Sequence, residues 1–265
     1  MAQGSQVTQS PRVKDPFAAP VLNRVERLHE EGRDIVRRHW AERCIADVLG
    51  SDRVAEVTAQ RLVAAIGLAP PVLAVDLDGG WMSMPFVAGT RIDALWWERG
   101  CSSNAVLDLL AALRLLPSAQ LPMIHLADRA AQLHRELEAR SAGLARRWDA
   151  SLEHCLNGWA REPALAHHAL DSFVHGDLSP ENLLCMPDGR LVLLDFEYAH
   201  RGHRLEDLAG LVVSCAVGAC HWTNWVSVSE KALFDTLVRT RVLLDGLWVD
   251  LASVLTGNAA AARAH

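Results

Sequence analysis

The segment spanning residues 173–207 constrains the fold of this chain more than any other part of its 265 residues. Three short apolar runs in and beside this segment have the length and composition of buried strands. They cover residues 172–174, 183–185 and 191–194. The tripeptide Pro187-Asp188-Gly189, which is typical of a tight turn, separates the last two runs. The sequence therefore predicts one strand followed by a β-hairpin.

Polar side chains stand at the ends of these runs with a fixed spacing. Asp177 is followed five positions later by Asn182, and Asp195 comes directly after the last apolar run. Together with the Phe196-Glu197 pair that follows, this is the arrangement H-x-D-x-x-x-x-N and D-F-x of kinase catalytic centres. Carboxylate and amide oxygens are hard ligands that suit Mg²⁺, so we interpret Asn182 and Asp195 as metal ligands.

The chemistry of phosphoryl transfer explains why such residues are needed. A γ-phosphoryl group that moves to a hydroxyl spreads negative charge over its oxygens, so the site must neutralise this charge and hold the acceptor in line. Asp177 would accept or orient the proton of the attacking hydroxyl. His175 would brace the loop rather than react. The alternative is that HGD and DFE are chance tripeptides in two unrelated loops, and the joint spacing disfavours it.

The segments HGDLSPENLL and LLDFEYA together resemble the aminoglycoside phosphotransferase and choline kinase superfamily. The resemblance implies an α+β, two-lobed, protein-kinase-like fold, with a small antiparallel sheet and one helix in the N-lobe and a larger, mostly helical C-lobe. It implies a nucleotide-binding N-lobe over 21–87 and a catalytic, acceptor-binding C-lobe over 88–265, and the polar composition of 1–20 predicts a flexible tail before them. ATP and Mg²⁺ as cofactors and an alcohol group as phosphate acceptor follow from the same resemblance.

Composition limits the other classes of protein. Half of the residues are apolar, which is enough for one large core or two modest ones. The longest uncharged apolar run, 208–220, is about a dozen residues, whereas a membrane-spanning helix needs roughly 20. The polar N-terminus does not read as a secretory signal, and six cysteines without C-x-x-C spacing indicate reduced thiols and a cytoplasmic location. A net charge of −6 gives no electrostatic reason to expect nucleic acid as partner.

The phosphate-binding cation of the predicted N-lobe must be an arginine. The chain contains two lysines, Lys14 in the polar tail and Lys231 in a late helical stretch, and it has no Walker-type loop. It also has no G-x-G-x-x-G. Two accounts of that difference from kinases stay open: a short loop whose backbone amides bind the phosphates, or an N-lobe with little catalysis.

Two predicted strands, 21–29 and 33–40, are joined by a turn at 30–32. The resemblance places the phosphate-binding cation after Ile35-Val36, at Arg37. Arg38 is the alternative, because a shift of one residue turns a strand side chain to the opposite face. A surface strand with solvated arginines is the remaining alternative.

Glu56 is the expected partner of that arginine, because its surroundings match the superfamily pattern E-x(10)-G-L-x-P. It lies in a predicted helix that ends at Gly67 and Pro70. A surface glutamate is the alternative. One face of this helix is predicted to consist of its larger apolar residues, which are Val54, Val57, Leu62 and Ile66.

A further strand is predicted over 71–76, and the segment WMSMPFVAGT after it resembles the last N-lobe strand running into the hinge. The resemblance places Met84 in the gatekeeper position, with the Pro85 carbonyl accepting from the adenine amino group and the Val87 N–H donating to the ring. A shift of one residue would put the proline where a donor is needed. A plain strand end followed by a turn is the alternative.

The rest of the chain is predicted to be mostly helical, with helices over 106–116 and 124–142. Trp222 and Trp225 lie where the superfamily has part of its acceptor pocket. Tryptophan faces bind cationic groups well, and Glu197 could add a carboxylate for such a cation. These residues favour choline, thiamine or a cationic amino sugar as acceptor. The alternative is that the tryptophans fill the helical core.

A protein acceptor is disfavoured. Ser179 stands where protein serine/threonine kinases typically have a lysine, and only about a dozen residues separate Asp195 from Asp207, too few for an activation segment. In the family pattern Asp207 ties the catalytic loop, so its predicted role is structural. Two other functions stay open: a lipopolysaccharide or sugar kinase, and a non-catalytic nucleotide-binding or scaffold protein. The sequence makes no prediction about oligomeric state.

Overall fold

The computed structural model describes residues 23–92, 103–162, 165, 170–214 and 225–257. Within these ranges a four-stranded antiparallel sheet with two helices comes first, and a mostly helical part follows it. Two smaller antiparallel sheets contain the strands of the motif at residues 173–207. In the part of the chain that is described, no helix is both long enough and apolar enough to cross a membrane.

The first sheet begins with the predicted hairpin. Strand β1 (Arg24–Glu30) pairs antiparallel with β2 (Arg33–His39), and Glu30 lies opposite Arg33. The two residues between them, Glu31 and Gly32, both have positive φ, at 50° and 75°. Two consecutive left-handed residues form the kind of turn whose twist matches that of a hairpin. The turn fixes the register of β2, and therefore which arginine faces inward.

The other two strands complete this sheet in the order β1-β2-β4-β3. Strand β4 (Trp81–Pro85) is central and pairs antiparallel with β2 on one side and with β3 (Ala74–Asp76) on the other. The strand predicted over 71–76 therefore starts three residues late. Prolines stand at 70 and 71, and proline has no N–H to contribute to a strand ladder.

Two helices lie between β2 and β3, where the sequence analysis expected one. The short helix α1 (Arg43–Leu49) ends at Gly50, which is left-handed. Asp52 caps the N-terminus of helix α2 (Arg53–Ala65). Its carboxylate accepts hydrogen bonds from the N–H groups of Val54 and Ala55. The helix with Glu56 is thus confirmed, and α1 is an addition to it.

The predicted apolar face of α2 is wrong in part. Val54 and Ile66 are 60% and 45% exposed, whereas Val57 is buried as predicted. The buried face is built instead from small residues with polar ones beside them. Its members are Ala55, Glu56, Val57, Ala59, Gln60 and Val63. Small residues let a helix approach its neighbours closely, and the larger apolar side chains are not needed for that contact.

Helices make up most of the second part of the chain. They are α3 (Ser103–Arg114), α4 (Leu126–Arg140), α5 (Ala142–Ala145), α6 (Asp149–Ala160), α7 (Glu206–Ser214) and α8 (Lys231–Thr256). The predicted helices over 106–116 and 124–142 are confirmed as α3 and α4, with shifted ends. The long helix α8 packs against α4, α6 and α7 and forms the centre of this part.

The catalytic motif lies on short strands between these helices. Strand β6 (Ser172–Val174) pairs antiparallel with β9 (His200–Gly202). Strands β7 (Leu183–Cys185) and β8 (Leu191–Leu193) form the predicted hairpin, and β5 (Thr90–Arg91) adds to the outer side of β7. The three predicted strands of the motif and their hairpin pairing are confirmed.

Candidate active site

The β7–β8 hairpin brings the two predicted metal ligands to the same end of the motif. The Leu194 N–H donates to the main-chain carbonyl of Asn182 across 3.0 Å, one step beyond the paired strands. Asp195 follows at once, with φ of 62° in the left-handed region. The left-handed backbone conformation is uncommon in residues other than glycine, and such residues are concentrated at functional sites. The backbone therefore turns sharply at Asp195, beside Asn182.

Asn182 also contacts Asp177. Its Nδ2 donates to the Asp177 carboxylate at 2.9 Å and to the Asp177 carbonyl at 2.8 Å. Both partners can only accept, which fixes the amide with its Oδ1 on the side away from them. Asn182 can thus offer an oxygen to a cation while it holds Asp177 in place. The structure brings Asp177, Asn182 and Asp195 together, as the sequence analysis expected.

The donor set of this site fits Mg²⁺. Among the described residues, no cluster of three or more His, Cys, Asp or Glu side chains could hold a metal ion alone. An amide oxygen and one carboxylate are an incomplete set of hard oxygen ligands, and Mg²⁺ sites of nucleotide enzymes are usually completed by phosphates and water. Asn182 and Asp195 are therefore suitable ligands for a nucleotide-bound magnesium ion.

His175 and Asp207 brace the loop that contains Asp177. The buried Asp207 carboxylate accepts from the N–H groups of His175 at 2.9 Å and Gly176 at 3.0 Å. The His175 Nε2–H donates to the Leu194 carbonyl at 2.9 Å, and its Nδ1 accepts from the Asp177 N–H at 3.3 Å. Burial raises the pKa of Asp207, against the opposing effect of His175 and these amides. These contacts agree with the structural roles predicted for both residues.

Arg38, not Arg37, points into the site. Its two terminal nitrogens donate to the two carboxylate oxygens of Asp195 at 2.9 and 2.7 Å, and its Nε lies 2.8 Å from Glu56 Oε1. Arg37 instead pairs with Glu30 at 2.9 Å and stacks over the Trp81 ring. The expected Arg37–Glu56 pair was wrong because successive side chains of a strand alternate between faces, and the register of β2 turns Arg38 inward.

Glu56 is buried beside this arginine. Its second oxygen accepts from the Trp40 indole N–H at 2.7 Å. Burial raises the pKa of Glu56 to about 7: Arg38 opposes the rise, and the nearby Asp195 carboxylate adds to it. The predicted partner role of Glu56 therefore holds, with Arg38 in place of Arg37.

Glu197 faces the same arginine. Asn23 donates to its carboxylate at 2.7 Å, and Arg38 Nη2 lies 3.5 Å from it. Burial raises the pKa of Glu197 to about 8, and the negative charge of Asp195 adds to this effect. Its contacts thus lie with Arg38 and the start of β1. Its predicted role as a carboxylate for a cationic acceptor stays a prediction.

The predicted hinge residues lie at the end of β4. Met84 is buried with its sulfur 3.8 Å from Gln60 Nε2, and Pro85 is the last residue paired with β2. The Phe86 N–H donates to the Asp34 carbonyl at 3.0 Å, and the Val87 carbonyl accepts from Gly89 in a tight turn. The strand and the turn after it are confirmed. The nucleotide contacts of Met84, Pro85 and Val87 stay predictions.

The two predicted acceptor tryptophans have different outcomes. Trp225 is half-buried and packs against the apolar core, and its acceptor role stays a prediction. Trp222 lies outside the described residues. A third tryptophan, Trp248 on α8, donates its indole N–H to the Tyr198 hydroxyl at 2.7 Å, next to the D-F-x segment. Burial, with the charge of Glu197, raises the pKa of Tyr198 well above its ordinary value.

Sequence reasoning missed the contribution of α8 to the site. Arg241 Nη2 donates to the Asp177 carboxylate at 2.7 Å, and Asp245 lies one turn further along. Arg241, Asp245 and Trp248 stand at positions i, i+4 and i+7, which lie on one helix face. This row of two charged residues and a tryptophan on one helix face was the available signal.

The chain is similar in sequence and in fold to known proteins. The sequence model of the phosphotransferase enzyme family matches residues 16–240, and no curated protein matches the chain. Choline kinase LicA from Streptococcus pneumoniae superposes with a TM-score of 0.71 at 14% identity, covering 86% of this chain and 81% of LicA. A choline/ethanolamine kinase family protein from Mesorhizobium loti gives 0.64 at 20% identity, covering 93% and 85%.

A third solved structure, a complex with GDP and kanamycin, gives a similar value. The GDP and kanamycin complex of APH(2")-IIIa superposes with a TM-score of 0.62 at 19% identity, covering 93% of this chain and 91% of the other. At these identities the likeness establishes the fold alone. The fold is the α+β, two-lobed, protein-kinase-like fold that the sequence resemblance implied, and the residue limits of the lobes stay a prediction.

Proposed function

The chain belongs to the phosphotransferase enzyme family, and on this premise we propose that it transfers the γ-phosphate of ATP, with Mg²⁺, to a hydroxyl group of a small molecule. The observation that carries the proposal is the convergence of Asp177, Asn182 and Asp195 on one site: Asn182 donates to the Asp177 carboxylate, and the N–H of Leu194, the residue before Asp195, donates to the Asn182 carbonyl. A scaffold or a protein that only bound nucleotide would not need the three together.

Each member of the site has a role in this proposal. Asn182 Oδ1 and the Asp195 carboxylate would hold Mg²⁺, which would neutralise charge on the nucleotide phosphates. Arg38 would bind phosphate oxygens with the terminal N–H groups that its two bonds to Asp195 leave free, because the guanidinium stays charged at any pH. Glu56 would keep the Arg38 side chain aimed at the phosphates through the contact at its Nε.

Asp177 would position the acceptor hydroxyl and take up its proton as the bond to phosphorus forms. Two features fit that role. Its carboxylate is oriented by hydrogen bonds on both oxygens, from Asn182 and from Arg241. About a third of the side chain is still exposed, which leaves room for an acceptor.

We propose choline or ethanolamine as the first acceptors to test. Two structural neighbours are a choline kinase and a choline/ethanolamine kinase family protein. Trp248, Tyr198 and Trp225 supply aromatic rings suited to a cationic head group. Thiamine and cationic amino sugars share that chemistry, and the APH(2")-IIIa complex supports testing kanamycin. A lipopolysaccharide or other sugar kinase and a non-catalytic nucleotide-binding protein are the remaining alternatives.

The nucleotide and the location are part of the proposal. One neighbouring structure holds AMP and another GDP, so GTP belongs in the same assay as ATP. The described cysteines Cys44, Cys155 and Cys185 are free thiols. Free thiols together with a need for ATP support a cytoplasmic location.

The testing experiment measures nucleotide consumption with Mg²⁺ against a panel of choline, ethanolamine, thiamine, kanamycin, simple sugars and lipopolysaccharide core sugars. The control is Asp195→Ala, which removes a proposed metal ligand. We expect one acceptor class to stimulate turnover in the natural protein and to leave the control at background. A thermal shift with Mg²⁺ and ATP should likewise be lost in the control.

Two results would contradict the proposal. Silence across the panel together with no thermal shift would favour the non-catalytic alternative. Turnover that survives Asp195→Ala would instead remove Asp195 from the assigned centre.

A further inference from the structure

Helix α8 reaches the loop that contains Asp177 through the Arg241 side chain. Arg241 Nη2 donates to Asp177 Oδ1 at 2.7 Å, and Nη1 donates to the Gly176 carbonyl. The third nitrogen, Nε, lies 2.7 Å from a carboxylate oxygen of Asp245, one turn along the same helix. The guanidinium therefore donates two hydrogen bonds to the loop that contains Asp177, and its third nitrogen lies beside a carboxylate.

The contact is complementary to that of Asn182. Asn182 holds Asp177 Oδ2, whereas Arg241 holds Oδ1, so the two carboxylate oxygens have different donors on opposite sides. A carboxylate bonded at one oxygen can rotate about its χ2 bond, because that torsion is broad and only loosely restricted. Bonds at both oxygens define the plane of the carboxylate as well as its position.

The Arg241 side chain is itself held in place. It is 21% exposed, and Asp245 supplies a second negative charge that fixes its position. Burial acts to lower the pKa of the Arg241 guanidinium, but the carboxylates of Asp245 and Asp177 outweigh it and the pKa is raised. The cation is therefore permanent, and α8 holds it from outside the motif of residues 173–207.

We infer that Arg241 is the positioning residue of the reaction: it fixes the plane of the Asp177 carboxylate against the acceptor hydroxyl. The inference rests on the proposed function for its kinetic consequence, though not for the contact itself. It adds a residue 64 positions away from Asp177 to the machinery that the motif defines.

The first test needs no acceptor. Hydrogen–deuterium exchange of the natural protein is compared with that of Arg241→Met, which keeps the length of the side chain and removes its donors. The matched control is Arg239→Met, which makes the same change two residues earlier on α8, where Arg239 donates to Thr236. We expect faster exchange in the peptide over 175–182 in Arg241→Met alone. Equal exchange there in both variants would overturn the inference.

The second test separates positioning from general support of the fold. With ATP, Mg²⁺ and the most active acceptor of the panel, Arg241→Met should lower kcat about 10²-fold and leave the KM for ATP within about threefold. Arg241→Lys should recover about tenfold of this loss, because an ammonium can still bond to Asp177. Arg239→Met should keep kcat within about twofold of the natural value.

A double variant decides whether Arg241 acts through Asp177. If it does, Asp177→Asn/Arg241→Met should be no slower than Asp177→Asn alone, because residues that act as a unit are not additive. Losses that multiply in the double variant would overturn the inference. If no acceptor of the panel responds, the proposed function fails while the exchange experiment still decides the position of Asp177.

Discussion

At the scale of single residues, Arg38 is in contact with three acidic side chains of the site. One guanidinium, 7% exposed, lies against the carboxylates of Asp195, Glu56 and Glu197. Burial raises the pKa values of two of them, to about 7 for Glu56 and about 8 for Glu197, and the negative charge of Asp195 adds to both effects. Burial, helped by the repulsion between neighbouring carboxylates, therefore favours the protonated form of both glutamates.

Replacing Arg38 should damage both activity and stability. Arg38→Met should lower the turnover of ATP about 10²-fold or more, because it removes the phosphate donors. It should also lower the free energy of unfolding by about 3 kcal/mol, the low end for a broken buried pair, since Glu56 can take up a proton. Kinetics with the panel's acceptor and urea unfolding measure the two effects.

Arg37→Met is the matched control, one residue earlier on the same strand. Arg37 pairs with the half-exposed Glu30, and such pairs contribute only about 0–1 kcal/mol. We expect turnover within about twofold of the natural value and little change in unfolding. The reverse ranking of the two variants would return the phosphate role to Arg37. Addition of Glu56→Gln to Arg38→Met should restore part of the lost stability.

At the scale of elements, the site depends on a close approach between the loop after β6, which contains Gly176, and the segment after β8, which contains Tyr198. Gly176 has φ of +81°, and a Cβ there would collide with the carbonyl oxygen of Tyr198. Two separate reasons thus require glycine: the left-handed backbone and the lack of space. The same approach lets Asp207 accept from two successive amides of the loop.

Two glycines with nearly the same φ separate these reasons. Gly189, at +84° in the β7–β8 turn, has no atom within 4 Å of the place where a Cβ would stand. Gly189→Ala should therefore lower stability by only about 1–2 kcal/mol, the cost of a left-handed alanine, and leave kcat unchanged. Gly176→Ala should lose more stability than that and most of its kcat, because the loop with Asp177 must move.

Thermal unfolding and steady-state kinetics of the two alanine variants measure this difference. Equal effects in both would show that the backbone angle alone matters. In that case the close approach to Tyr198 would have no part in placing Asp177.

At the scale of the whole molecule, local sequence patterns predicted most of the fold. They did not predict the contacts that depend on strand register or on how helices pack. The β7–β8 hairpin and Asp177, Asn182 and Asp195 follow from a turn and a spacing that lie within one segment. The choice between Arg37 and Arg38 depended on the register of β2, since both lie in a strand whose polar residues occur on both faces. Arg241 could not be placed, because only the packing of α8 brings it to the loop.

Buried titrating groups also set the pH dependence of the whole protein. Glu56 and Glu197 have raised pKa values of about 7 and about 8, so the folded state holds protons that the unfolded chain releases above about pH 4.5. The pKa of His200 is also raised: burial acts to lower it, but the hydrogen bond to Glu206 outweighs that effect. Groups whose pKa rises on folding stabilise the folded state at low pH and lose that effect as the pH rises.

We therefore expect the nucleotide-free protein to be less stable at pH 8 than at pH 6, by on the order of 2 kcal/mol. The pKa of His203 is lowered, mainly by burial. This group destabilises the folded state only at pH values below about 6.5, so it opposes the trend only in that range. Urea unfolding across this range measures the slope. Glu197→Gln should flatten it, and a natural protein that gains stability toward pH 8 would contradict the assignment.

The three-carboxylate cluster around Arg38 has one more consequence, for calorimetry. If Glu197 and part of the Glu56 population are protonated at neutral pH, folding takes protons from the surrounding buffer and unfolding returns them. The heat of unfolding would then include the ionisation heat of the buffer. The same protein should show different unfolding enthalpies in Tris and in phosphate at one pH. The difference would count the net number of protons that the protein takes up on folding, and Glu197→Gln should reduce it.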